Sequence, residues 1–299
     1  MADHELEAVV SEILELDEQG ERIGWVLRHT LDQLYDGQHT GRYRWDQLHK
    51  TEKTHCGTLV EINLHREFKF GDGTAMDYRI AGVDVDCKYS QSIGGWMIPL
   101  EAMGHLCLVV WADDQDAIWS LGVVRIIEEI LNKGSNRDSK RAISAAGREQ
   151  IRWIFNQAAL PPNVLLQLPR PQVDKLMQLS GGQKRIDEIF RIARQTRIGR
   201  GAIATLGQQD DYMKRVRGNS GSRTRLKPEG IIILGHYEKH QEIAEALGVP
   251  IPRRGESVSV RLAPASEPGT GVVTLDDSLW RVARQSDPVV TAPQCPHAK

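Results

Sequence analysis

Asp77-Tyr78-Arg79-Ile80-Ala81-Gly82-Val83-Asp84-Val85-Asp86-Cys87-Lys88 is the stretch around which this chain is organised. From Val83 the residues alternate. Val83, Val85, Cys87 and Tyr89 fall on one face and Asp84, Asp86 and Lys88 on the other, the period of a strand with one buried side. Ala81-Gly82 supplies a turn to a shorter run at 76–80, so the two form a hairpin that brings Asp77 near Asp86. Crowded carboxylates repel unless a divalent cation sits between them, and oxygen ligands of this kind suit Mg²⁺. Lys88 then stands where it orients or deprotonates a water beside the metal. Taken alone, an Asp-x-Lys marks no more than a hairpin with a solvated charged face.

A chain of 299 residues, 40% hydrophobic and 26% charged, predicts a soluble protein of two domains, each able to bury a core. It has no apolar run long enough for a bilayer, and its acidic, polar N-terminus is not a signal peptide; the expected compartment is the cytoplasm. Cys56, Cys87, Cys107 and Cys295 form no CxxC, which argues against a zinc site or a disulfide framework. The net charge of −2 hides an asymmetry. Residues 1–169 carry 17 Lys+Arg against 26 Asp+Glu, a net of −9, whereas residues 170–261 carry 18 against 10, a net of +8. A basic second half predicts a polyanionic partner there, most often nucleic acid.

In chain order, apolar spacing predicts helices at 5–16 and 22–35, the second stopped by Asp36-Gly37. Leu34-Tyr35-Asp36-Gly37 mimics the Lys-x-Asp-Gly of DNA ligases, but leucine is no nucleophile and ligase activity is excluded. The polar segment 43–54 leads into a helical stretch that holds Glu61. Beyond the hairpin, Ser90-Gln91-Ser92-Ile93-Gly94-Gly95-Trp96 is a glycine-rich polar loop, placed so that Ser90, Gln91 and Ser92 reach DNA. Strands are predicted at 105–111 and 117–125, with Asp113-Asp114-Gln115-Asp116 as their solvated turn. A helix is predicted at 149–160, with Ile151, Trp153, Ile154 and Phe155 as its apolar residues. Pro161-Pro162 and Pro169-Arg170-Pro171 bracket a linker.

The basic half opens with Leu179-Ser180-Gly181-Gly182-Gln183-Lys184-Arg185, the wording of an ABC-type ATPase signature. No phosphate-binding Gly-x-x-x-x-Gly-Lys-Ser/Thr loop accompanies it, so it reads as the start of a helix at 183–193. Gly199 and Gly201 break the chain. Residues 210–217 then predict a helix with a basic end, followed by a flexible basic loop, 218–225, a strand at 230–234 and a helix at 237–247. Helix, turn, helix and basic wing make a major-groove reader, with phosphate contacts from Arg197, Arg200, Lys214, Arg215, Arg217, Arg223 and Arg225. Past Ala263 the composition predicts a loosely ordered tail with one short element at 272–282.

Asp77, with Asp86-x-Lys88 nine positions on and Glu61 upstream, follows the spacing of PD-(D/E)xK nucleases. The wording Thr58-Leu59-Val60-Glu61-Ile62-Asn63-Leu64-His65-Arg66-Glu67-Phe68, then Asp77, then Asp86-Cys87-Lys88, resembles the NaeI-type (type IIE) restriction endonucleases of that superfamily. The resemblance covers most of the chain and is strongest from about residue 31 to 99. It implies an α/β (α+β) fold: an endonuclease core of mixed sheet flanked by helices over 1–162, a linker over 163–172, a catabolite-activator-like helix-turn-helix domain over 173–262 that holds effector DNA, and an extension over 263–299. It further implies a homodimer that cuts both strands of a GC-rich palindrome, GCCGGC, leaving 5′-phosphates. It also implies Mg²⁺ as the cofactor, with Mn²⁺ as a substitute, and a cognate DNA methyltransferase as the genetic partner. Glu61, Asp77 and Asp86 would hold the metal, and Lys88 would complete the catalytic set. Two other readings stay open: a repair nuclease of the same fold, and a DNA-binding regulator with a vestigial catalytic half.

Overall fold

A computed structural model describes residues 3–217 and 219–296. The chain divides into two compact units, Met1–Leu34 with Leu48–Pro161, and Tyr35–Gln47 with Pro162–Lys299. The segment 35–47 therefore belongs with the C-terminal unit, not with its sequence neighbours. The segment 163–172, expected as the linker, contains a short helix, Val164–Gln167, and the start of a second.

The first unit has helices α1 (His4–Leu16), α2 (Glu21–Tyr35) and α3 (Lys50–Phe68). Its sheet comprises β1 (Gly71–Asp72), β2 (Tyr78–Ile80), β3 (Val83–Ser90), β4 (Leu106–Asp113), β5 (Ile118–Arg125) and β6 (Arg152–Ala159), side by side in that order. Only β3 and β4 run parallel, so the sheet is mixed. α3 starts where Glu52 Oε2 accepts the His49 N–H (2.8 Å) and stops at Lys69 in the left-handed region (φ 54°). It lies against β3, and α1 lies against β5.

The other face of the sheet is covered too. Cys107, Val109, Trp111 and Val124 pack with Trp96, Ile98, Ala102, Ile126, Ile130 and Ile143 in an apolar layer. Residues 106–112 are consequently all buried, which is why this stretch reads as a continuous hydrophobic run. The expectation that Asp86 lies on a solvated face fails for the same reason: it pairs with Cys107 beneath that layer and is 4% exposed.

The predicted helix at 149–160 is instead strand β6, antiparallel to β5. Trp153, Ile154 and Phe155 are bulky residues of high strand propensity, and an open sheet edge overrode a helical spacing too short to decide. The turn after β4 is not wholly solvated. Asp113 Oδ1 accepts the N–H groups of Gln115 (2.9 Å) and Asp116 (3.0 Å), but Asp114 is buried in a two-bond pair with Arg28 of α2.

The second unit contains α4 (Arg170–Gln178), α5 (Gly182–Ile192), β7 (Arg197–Gly199), α6 (Arg200–Gly207), β8 (Ile231–Gly235), α7 (Glu238–Ala246), β9 (Glu256–Pro264), β10 (Val272–Leu275) and β11 (Ser278–Val282). β9 is the hub. It pairs antiparallel with β7 and β8 along its first part and with β11 at its end, and β11 pairs with β10. Ile231 and Ile233 of β8 join the core of α4–α6, while Ile232 and Leu234 join a second core with α7, Val273 and Ala292. The expected short element at 272–282 is the pair β10 and β11, and Ala292 packs into the second core.

Two expectations change here. Gly201 lies inside α6 rather than breaking the chain, and 210–217 contains only a 3₁₀ turn, Tyr212–Arg215, in place of a helix. The predicted basic loop begins at Gly218, which lies outside the described residues; its remainder includes a short helix, Ser222–Arg225. Gly182 answers the ATPase-like wording, because a Cβ there would collide with the Gly207 carbonyl. The glycine is required by the close approach of α5 and α6.

Candidate active site

Ala81 (φ 51°) and Gly82 (φ 79°) are both left-handed, the two-residue type I′ turn whose twist suits a hairpin. It fixes the register Tyr78 opposite Val85, which carries Asp77 alongside Asp86 and Cys87. Asp77 Oδ2 accepts the Cys87 N–H at 2.8 Å, so this carboxylate is positioned by the backbone of the strand it serves. Lys88 Nζ donates to Asp86 Oδ1 (2.5 Å) and to the Cys87 carbonyl (3.0 Å), and lies 3.6 Å from Asp77 Oδ2. Asp84 shares the alternation but not the site: it caps the N–H groups of Thr74 and Ala75.

Burial, with the adjoining Asp77 carboxyl, pushes the pKa of Asp86 up to about 6 despite Lys88. For Lys88, burial disfavours the charge, but the Asp86 and Asp77 carboxylates outweigh it and raise its pKa above that of an ordinary lysine. As arranged, Lys88 is an ammonium donor rather than a base. Glu61 is half-buried on α3. Burial and then Asp77 raise its pKa, with Lys88 and His65 opposing. The Tyr78 hydroxyl donates to the Glu61 carbonyl (2.7 Å), pinning this turn of the helix over the hairpin, and the His65 ring stacks on Tyr78 at 5.8 Å.

Among the described residues no three His, Cys, Asp or Glu side chains converge into a ready metal cage. Two crowded carboxylates, one holding its proton to near pH 6, are nevertheless hard oxygen donors whose repulsion a divalent cation relieves. The donor set fits such an ion.

Residues 7–291 match the family model described as restriction endonuclease NaeI. The type II restriction enzyme NaeI of Lentzea aerocolonigenes is 49% identical over 302 residues, covering 98% of this chain and 95% of that protein. The chain belongs to the NaeI restriction endonuclease family.

In this NaeI-family chain the residues expected to touch DNA are placed unequally. Ser90 Oγ donates to the Ser92 carbonyl (2.7 Å) and accepts the Ser92 N–H (3.2 Å), while Gln91 Oε1 accepts the Tyr89 hydroxyl (2.8 Å). These side chains shape the loop, and the Ser92 side chain is exposed on it. In the second unit Arg200 and Arg217 are exposed. Lys214 pairs with Asp211, and Arg215 donates to Gln209 Oε1 (3.1 and 2.9 Å). Arg197 donates to the Ile251 carbonyl (3.0 Å), and Arg223 donates to the Ile233 carbonyl (3.1 Å) beneath Tyr237. Arg225 donates to buried Asp187 (2.7 Å), which also accepts Ser222 Oγ (2.7 Å) and Gln183 Nε2 (2.8 Å). Sequence reading missed Asp187 and His65. His65 carries a signal, four residues after Glu61 on one helix face; for Asp187 only the Gln183 spacing is local, and its charged partner Arg225 lies 38 residues downstream.

Proposed function

We propose that this protein is a type IIE restriction endonuclease. It hydrolyses both strands of a GC-rich palindrome, GCCGGC, with Mg²⁺ (or Mn²⁺), while a second copy of the site binds the C-terminal unit as effector. The observation that carries this reading is Asp77, Asp86 and Lys88 held together by one type I′ hairpin in a chain half identical to a NaeI enzyme.

Glu61, Asp77 and Asp86 would hold the metal in a PD-(D/E)xK core, and when bound it would supply Lewis acidity, a more acidic water and charge for the leaving 3′ oxygen. Lys88 holds the attacking water through an N–H and offsets negative charge on the phosphorane-like transition state. Burial of Asp86 keeps solvent from competing for its oxygens. The succession α5, β7, α6, the Tyr212–Arg225 segment, β8 and β9 supports a winged helix-turn-helix, with Arg200, Lys214, Arg215 and Arg217 at DNA phosphates. Two-fold symmetry of the palindrome calls for a homodimer with one active site per subunit, and self-protection of the host calls for a cognate methyltransferase. Among the described residues no helix is long and apolar enough to cross a membrane, in keeping with the proposed cytoplasmic setting.

Supercoiled plasmid with several GCCGGC sites, incubated with the protein in Mg²⁺ or EDTA, tests the nuclease, its metal dependence and its site. Discrete Mg²⁺-dependent fragments ending at that sequence are expected. Smearing or nicking would discard the restriction specificity, and salt-sensitive binding with no cleavage would discard the nuclease.

A further inference from the structure

Ile93 is 53% exposed at the corner of the loop that leaves the catalytic strand. The Gly95 N–H donates to the Ser92 carbonyl (2.9 Å) and Gly94 has φ +83°, so Ile93 holds the first corner of a turn of the type II pattern, a position that normally takes proline or a polar residue. The turn is rigidly mounted. Ser90 and Ser92 bond each other, Trp111 Nε1 donates to the Gln91 carbonyl (3.0 Å), and fully buried Trp96 anchors the far end through the Val110 carbonyl (2.8 Å). Beneath it lies a cation: the Arg148 guanidinium packs so closely under Gly94 that a Cβ there would fall 2.9 Å from Nη1. From Lys88 to the strand end at Ser90 is about 7 Å of extended chain, or roughly two base-pair steps. An aliphatic prong backed by a guanidinium, on the loop that continues the catalytic strand, matches the pairing with which proteins unstack DNA.

We propose that Ile93 is an apolar wedge that enters the DNA groove and opens a base step beside the scissile phosphate, with Arg148 steadying the backbone. It is a positioning residue for cleavage, and its role rests on the nuclease reading above. A polar or unmounted loop would give contacts without distortion. A rigid aliphatic corner costs nothing to order and pushes bases apart.

The test uses the full-length protein and a GCCGGC duplex with pyrrolocytosine at one cytosine in turn, Ca²⁺ replacing Mg²⁺, at protein concentrations that saturate binding. The wild type is expected to raise the fluorescence of one position. Ile93→Ala should lose that rise and about ten-fold in kcat/KM on plasmid in Mg²⁺, while Ile93→Leu retains both. Val289→Ala, an exposed apolar residue of the other unit, should behave as wild type. A fluorescence rise that persists in Ile93→Ala overturns the wedge, whatever the cleavage rate. A wild type that binds and cuts but never raises fluorescence at any position also overturns it. A wild type that does not cleave overturns the nuclease reading, and the wedge falls with it.

Discussion

At the scale of single residues, buried Asp86 and half-buried Lys88 work as a charge pair under an apolar roof. Asp86→Ala and Lys88→Ala are each expected to abolish plasmid cleavage while leaving DNA binding in gel-shift assays intact; a variant that still cuts at near-normal rate would remove this site from the mechanism. Because the pKa of Asp86 is raised to about 6, protons compete with metal below that pH. The Mg²⁺ concentration for half-maximal cleavage should rise about ten-fold per pH unit below 6 and level off above it. A requirement that stays flat from pH 5 to 8 would show that Asp86 ligates nothing. The sequence made the juxtaposition of Asp77, Asp86 and Lys88 readable, since a two-residue Ala-Gly turn fixes the register locally. It could not reveal the burial of Asp86, because Trp96, Ile98, Ile130 and Ile143 cover that face from well beyond the hairpin.

Among secondary-structure elements, the turn joining β4 to β5 depends on α2. Arg28 and Asp114 are both buried, and Arg28 also reaches Asp32 at 2.8 Å. Removing Asp114 leaves the buried Arg28 guanidinium with Asp32 in place of two carboxylate partners, so Asp114→Ala should cost about 3 kcal/mol in urea denaturation. Asp113→Ala, which loses only exposed capping bonds, should cost about 1 kcal/mol. Equal effects would mean that the buried pair contributes nothing special. The helices and central strands were legible because their apolar periods are long. Residues 152–159 were not: three bulky apolar residues in a row, Trp153, Ile154 and Phe155, suit a helix face or an edge strand, and only the unsatisfied edge of β5 decides between them. The solvated reading of Asp114 failed similarly, its partner being 86 residues away.

For the whole molecule, opposite charge on the two halves predicts where salt acts. Arg217→Glu is the cleaner probe, since Arg217 is exposed while the Arg215 guanidinium is already engaged by Gln209. It should weaken binding to duplex DNA and lower the slope of log Kd against log salt by about 1; an unchanged slope would say that the basic unit does not meet phosphates.

The segment 35–47 carries a practical lesson about how this protein can be cut. Tyr43 sits in the core of the C-terminal unit with Val164 and Leu165, its carbonyl accepts Asn163 Nδ2 (3.1 Å), and Gly37 leaves no room for a side chain beside Thr205. A polypeptide beginning at Pro162 would lack a wall of its own interior. Expressed alone it should lack a cooperative thermal transition, and a synthetic peptide of residues 35–47 added in trans should restore one. The two halves are stitched, and a scissor placed at the prolines frees a torn piece instead of a domain.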